Sequence, residues 1–221
     1  MKEAASSGSN FTRYGLELFV VFVGVYAAVW VENYFAEQAQ AEQTEKVVAM
    51  LREDLEDQVR MGGALVGVVG AQLDAWDAEW QKGERPVPFV LRIERSETPP
   101  VFAWDAVTRS DAVELLEPSL IFDLGFFYSE VEGVGRKLLR YVEFTDSQVM
   151  PGIKRGNDWF YDGETGELHP EFAAHMDRLR DISSDSGEIA DWAACLVERL
   201  ENFAVETDTC RPRGSLSSQE P

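Results

Sequence analysis

Leu18 to Val31 reads LFVVFVGVYAAVWV and contains no charged side chain. At a rise of about 1.5 Å per residue this run alone is too short to cross a bilayer. Carried outward to Tyr14 and Phe35 it makes a helix of about 33 Å, against a hydrocarbon thickness of about 30 Å. Phe11 and Tyr14 stand at one end, and Trp30, Tyr34 and Phe35 at the other. Such amphipathic aromatic rings are enriched at the level of the lipid headgroups. The sequence therefore predicts an all-α chain with one transmembrane helix over 13–35. Two other readings fit less well. A cleaved signal peptide would use Lys2 and Arg13 as its basic start and Ala39-Gln40-Ala41 as its cleavage site. The stretch from Val31 to Ala41 is long for that, and it holds Glu32 and Glu37. A buried helix of a soluble protein would need cover on every side, and a domain of this size has little to give.

Orientation is only weakly encoded. Lys2 and Arg13 precede the run, whereas Lys46 and Arg52 follow at a distance, among Glu37, Glu42, Glu45, Glu53 and Asp54. Lys and Arg near a span set its direction, so the N-terminus is expected on the cytoplasmic side of a bacterial inner membrane and the rest of the chain outside.

That remainder is acidic. Forty Asp and Glu against twenty Lys and Arg give the 221-residue chain a formal net charge of −20. Phosphate recognition needs clustered cations, so nucleic acid is excluded as a partner. The charge also disfavours docking on anionic lipid and favours basic partners. The two cysteines, Cys195 and Cys210, make neither a disulfide framework nor a C-x-x-C motif. Whether they form one bridge or remain two thiols is open at this point.

Outward from the apolar run, the sequence predicts a flexible tail over 1–12, an acidic helical extramembrane domain over 36–206 and a disordered tail over 207–221. Ala36 to Arg60 has no Gly or Pro, and Val48, Leu51, Leu55 and Val59 recur at helical spacing, so the first helix continues outward. Met61-Gly62-Gly63 reads as a turn or kink before a second helix, Ala64 to Lys82. The prolines between Gly83 and Pro100 read as a loop, with Phe89 to Ile93 extended. A short helix is expected over Val101 to Ser110, and a longer one after Pro118, to about Glu143. In the latter, Leu120, Leu124, Phe127, Val131, Val134 and Leu138 alternate steps of four and three. This is either a coiled-coil seam or, the preferred reading, the core face of the protein's own bundle. Asn157 to His169 carries hairpin signals around Tyr161-Asp162-Gly163 and Thr165-Gly166. Pro170 to Ile182 and Gly187 to Ala204 read as the last two helices.

The first half resembles an uncharacterised bacterial family of small single-pass membrane proteins, a domain of unknown function. The residues that carry the resemblance are Tyr14-Gly15-Leu16-Glu17, Gly24 to Ala28, Glu32-Asn33 and the Leu51 to Leu55 stretch. The likeness covers residues 13 to 60. A weaker likeness over 101 to 143 rests on Trp104, Leu115-Leu116, Leu120, Leu124 and Phe127-Tyr128. Tyr34 stands where the family has Trp shortly after the span. The resemblance implies a topology, not a mechanism.

No catalytic, cofactor or metal motif stands out. Gly24 and Ala28 form a small-x-x-x-small pair, the pattern that lets two helix backbones approach closely in a membrane. Glu17 is a carboxylate within the predicted span, one turn from its edge. There it can snorkel to water, contact a partner helix or handle protons. His169 and His175, even with Glu171, lack metal-ligand spacing and read as surface residues. Asp158, Asp162, Glu164 and Glu167 resemble a calcium loop, but Phe160 occupies a ligand slot. The sequence thus predicts a non-enzymatic, membrane-anchored interaction or scaffold protein. Its expected partners are the bilayer and either a second copy or another membrane protein. The alternative is an accessory subunit of an ion-driven or transport complex that uses Glu17.

Overall fold

A computed structural model describes residues 8–91, 102–201 and 210; of 8–18, 20 and 21 it describes the backbone alone. The chain divides into two units, Met1–Val47 and Val48–Pro221. The described secondary structure is helical throughout: α1 (Gly8–Gln81), α2 (Phe102–Thr108), α3 (Pro118–Phe144), α4 (Met150–Ile153) and α5 (Pro170–Glu201). Short 3-10 turns at Asp111–Leu115 and Asn157–Phe160 and a π-turn at Thr145–Val149 complete it. The all-α reading and the helical bundle are therefore correct.

The first unit contains the N-terminal part of α1, which begins at Gly8, inside the stretch read as a tail. Among the described residues no helix is long and apolar enough to cross a membrane. Of the expected span, residues 13–18, 20 and 21 have side chains outside the described ones.

In the second unit α1 does not turn at Met61-Gly62-Gly63 but runs through to Gln81. Gly62 serves close packing instead. A Cβ added there would stand 2.6 Å from the Ser186 carbonyl oxygen and 2.9 Å from the Ala190 Cβ. Nor does α5 break between Ile182 and Gly187. Pro170 to Glu201 is one helix, and Ser186 Oγ donates to the Ile182 carbonyl at 2.7 Å, inside its own helix. Gly187 faces Val66. The two small-residue stretches read as breaks are the two sides of one helix contact.

Leu51, Leu55, Val69 and Leu73 of α1 are buried, as are Leu120, Leu124, Phe127 and Val131 of α3 and Leu179, Ile182, Leu196 and Leu200 of α5. The four-and-three seam of α3 is thus a core face of the chain's own bundle. Pro118 opens α3, where its missing N–H costs nothing. At that end Arg199 of α5 donates to Asp123 and, at 2.7 Å, to Ser119 Oγ of α3. Tyr128 donates to Asp54 at 2.7 Å, joining α3 to α1, and stacks on Trp104 of α2. Burial pushes the Asp54 carboxyl up, against the lowering effect of that hydrogen bond.

The residues after α1 form no regular element up to Leu91. Side chains hold their backbone. Asn157 donates to Arg85 O at 2.9 Å, Trp76 to Val87 O at 3.1 Å and Tyr141 to Phe89 O at 2.9 Å. Tyr161 donates to Pro86 O, and Phe89 N–H donates to Met176 Sδ. The expected hairpin is absent among the described residues. Asn157–Phe160 is a 3-10 turn, and a lone antiparallel bridge joins Tyr161 and Leu168. Asp162 Oδ1 accepts the Glu164 and Thr165 N–H groups, each at 2.8 Å, and Gly166 has φ +75°. The turn chemistry was legible, but Phe160 and Tyr161 are spent on the core rather than on a second strand.

Cys195 of α5 is joined in a disulfide to Cys210. Cys210 is buried, so the predicted C-terminal tail contains at least one anchored position; its other residues lie outside the described ones.

The crossing of α1 and α5 makes two neighbouring glycines unequal. Gly62→Ala should lower stability by about 1–3 kcal/mol through overpacking against backbone. Nothing lies within 4 Å of a Cβ at Gly63. Gly63→Ala should be neutral or stabilising by up to about 1 kcal/mol through helix propensity. Urea unfolding followed by tryptophan fluorescence checks the pair, and equal effects would contradict the crossing.

Candidate functional site

The sequence-predicted residues Glu17, Gly24 and Ala28 all lie on α1. The Glu17 side chain is outside the described ones. A Cβ at Gly24 would meet nothing within 4 Å, and Ala28 is exposed. Four residues apart, the two share a helix face. Around them Phe22, Val25, Tyr26, Trp30 and Phe35 are each at least 60 % exposed, which is reversed from what water favours. At 100° per residue, Phe22, Val23, Val31, Phe35 and Val25 fall at intervals round the whole circumference. All five are exposed, so the apolar surface of this stretch is not confined to one side.

The metal readings gain no support. Among the described residues no group of three or more His, Cys, Asp or Glu is placed to hold an ion. Asp158 is paired with Arg85 at 3.0 Å. Asp162 is taken up by its own turn, whose N–H groups hold its carboxyl below the usual range. His169 is half-buried beside that turn, and His175 is fully buried on α5. The surface reading of His175 is therefore wrong. It is the most unusual polar residue of the core.

His175 lies against the end of α3. Its ring stacks on Tyr141 with centroids 4.2 Å apart and planes 7° from parallel, and Phe144 is 4.9 Å away. Thr145 Oγ1 lies 3.3 Å from Nε2 and itself donates to the Tyr141 carbonyl. Because that donation uses the hydroxyl hydrogen, the network assigns the imidazole proton to Nε2. Nδ1 is then a buried acceptor without a hydrogen-bond partner. Desolvation, with a smaller contribution from the nearby Arg178 guanidinium, pushes the imidazole down to about 4.

Thr145 is also the first residue of the π-turn. Met150 N–H bonds to the Thr145 carbonyl, five residues back rather than four. Pro151 explains the widening. In an unbroken α-helix its ring would clash with the Ser147 carbonyl, and it has no N–H to offer. The extra residue lets the chain enter α4 without that clash. Nothing in the periodicity of α3 announced this; the signal available was Pro151 itself.

Beside the π-turn, α3 and α5 border an open groove of about 590 Å³. Arg140, Glu143, Phe144, Arg178, Asp181 and Ile182 line it, together with Lys137 and Ser147. Lys137 is paired with Asp185 at 2.6 Å, and the Arg178 guanidinium lies over the Phe144 ring, 5.7 Å from its centroid.

The chain matches no protein-family model, no curated protein and no solved structure.

The buried imidazole sets a pH dependence. Between about pH 6.5 and pH 4 the unfolded chain binds a proton at His175 that the folded chain refuses. The stability contribution is fully present above pH 6.5 and is lost as pH falls through 4. From pH 7 to pH 4.5 it should fall by roughly 2–3 kcal/mol. In His175→Phe this part of the loss should vanish. Urea midpoints of both proteins at the two pH values check it; parallel losses would show that His175 is not buried neutral.

Proposed function

We propose that this chain is a membrane-anchored, non-enzymatic interaction protein. Residues 13–35 cross a bacterial inner membrane once, and the N-terminus lies on the cytoplasmic side. The observation that carries the reading is the ring of exposed apolar side chains on α1 from Phe22 to Phe35. Burying a Phe or Val is worth about 1.5–3 kcal/mol, so the ring as a whole represents on the order of 10 kcal/mol that only an apolar surrounding recovers. The absence of charge between Leu18 and Val31 supports lipid as that surrounding. The topology implied by the family resemblance agrees.

Three further features bear on side and partner. Lys2 and Arg13 lie before the apolar run. The disulfide of Cys195 and Cys210 suits an oxidising compartment, outside the cytoplasm. Gly24 and Ala28 leave one face of the span with little bulk, which suits close packing with a second copy or another membrane helix.

Membrane fractions washed in alkaline carbonate should retain the intact chain. In spheroplasts without reductant, neither Cys195 nor Cys210 should react with a maleimide, and both should react after reduction and unfolding. A soluble chain starting after Ala41 would contradict the anchor, and free thiols in the unreduced protein would contradict the orientation. Gly24→Ile or Ala28→Ile should lower self-association in a membrane two-hybrid assay while leaving insertion intact.

A further inference from the structure

The groove between α3 and α5 is electrically peculiar for this protein. Acidic residues outnumber basic ones two to one, so a surface arginine is rarely far from a carboxylate. Seven of the ten arginines with described side chains have one within 4 Å. The exceptions are Arg140, Arg155 and Arg178. Arg155 lies over the Trp159 ring, outside the groove. The other two line the same groove.

Two carboxylates, Glu143 and Asp181, line it as well, and among the described residues neither forms an ion pair. All four charges therefore face a common space without neutralising one another. Glu143 and Arg140 are three residues apart on α3, as are Asp181 and Arg178 on α5, a spacing that often permits pairing on a helix surface. Lys137 adds no free charge, because Asp185 holds it at 2.6 Å. Arg178 is held over Phe144 instead of reaching for a carboxylate. Phe144 and Ile182 are the apolar residues of the lining, Ile182 almost wholly buried. His175 stands behind Phe144 and fixes its ring from the core side.

A simple anion would satisfy the guanidiniums but would meet two carboxylates in the same space. A simple cation would meet the converse. A molecule carrying both charges answers the whole wall, its carboxylate toward Arg140 and Arg178 and its ammonium toward Glu143 and Asp181. Guanidinium–carboxylate contacts are short, directional and stronger than neutral hydrogen bonds. The volume of about 590 Å³ is in the range of small-molecule sites and exceeds the needs of an inorganic ion. We propose that this groove binds a small zwitterion of the amino-acid or short-peptide class, with its side chain on Phe144 and Ile182.

The test is calorimetric titration of the full-length protein in detergent. The probes are the proteinogenic L-amino acids and the dipeptides Ala-Ala and Leu-Leu, at up to millimolar concentration. At least one should bind. N-acetylation of the binding probe, or amidation of its carboxylate, should each weaken it about tenfold or more, the worth of one charge-assisted contact. Arg140→Gln with Arg178→Gln should abolish binding, and Glu143→Gln with Asp181→Asn should weaken it. Arg136→Gln, outside the groove and paired with Glu132, should leave it unchanged. Helical circular dichroism of each variant separates loss of site from loss of fold. Silence of the wild-type protein toward every probe would overturn the proposal. So would a binding probe that tolerates acetylation, or binding that survives the arginine double substitution in a folded protein.

Discussion

The second unit depends on how closely α1 and α5 approach at Gly62. Helix axes normally lie 8–10 Å apart, at a distance set by the side chains between them. Here the contact is made by a glycine, a serine carbonyl and an alanine methyl, with Gly187 facing Val66 nearby. Such closeness brings the flanking apolar rows together along both helices. Val69 and Leu73 of α1 meet Leu179 and Ile182 of α5 in one cluster, with Tyr141 of α3 closing it. The helix-weakening residues Gly62, Ser186 and Gly187 are tolerated because they sit where bulk would force the helices apart.

This crossing also explains why helices were easier to read than their ends. The apolar periodicity of α3 was visible from Leu120 to Leu138, and Pro118 marked its start without ambiguity. Met61-Gly62-Gly63 and the serine-rich stretch before Gly187 misled, because small residues signal a turn and a close contact in the same letters. Only the partner helix distinguishes the two, and sequence order does not reveal which helix will be the partner. The Asn157–His169 stretch failed differently. Its turn residues behave as expected, but a ladder needs apolar side chains to spare, and Phe160, Tyr161 and Phe172 are drawn into a cluster with Val149.

The candidate sites follow the same division. That Gly24 and Ala28 share one helix face, and that the run around them is apolar, could be read directly from the letters. The neighbourhood of His175 could not. A histidine near the start of a helix looks like a surface residue until Tyr141, Phe144 and Thr145, some thirty positions earlier, are seen to enclose it. The groove beyond Phe144 was equally hidden, since Arg140 and Arg178 belong to different helices and are unremarkable in either.

The stretch from Arg85 to Leu91 is held twice, by its backbone and by its own side chains. Tyrosine, asparagine, tryptophan and methionine side chains of the bundle grip its carbonyls and two of its N–H groups, those of Phe89 and Leu91. What they recognise is peptide backbone, which every residue shares. The information that fixes this stretch is therefore shared: Trp76, Tyr141, Asn157, Tyr161 and Met176 hold its backbone, while its own Phe89 and Leu91 pack on the cluster of Leu179 and Ile182, and its Val87 and Val90 on that of Phe160 and Phe172. A deletion should harm the strap more than an exchange of one apolar letter for another, because it would slide each carbonyl past the group that holds it and each apolar side chain out of its seat.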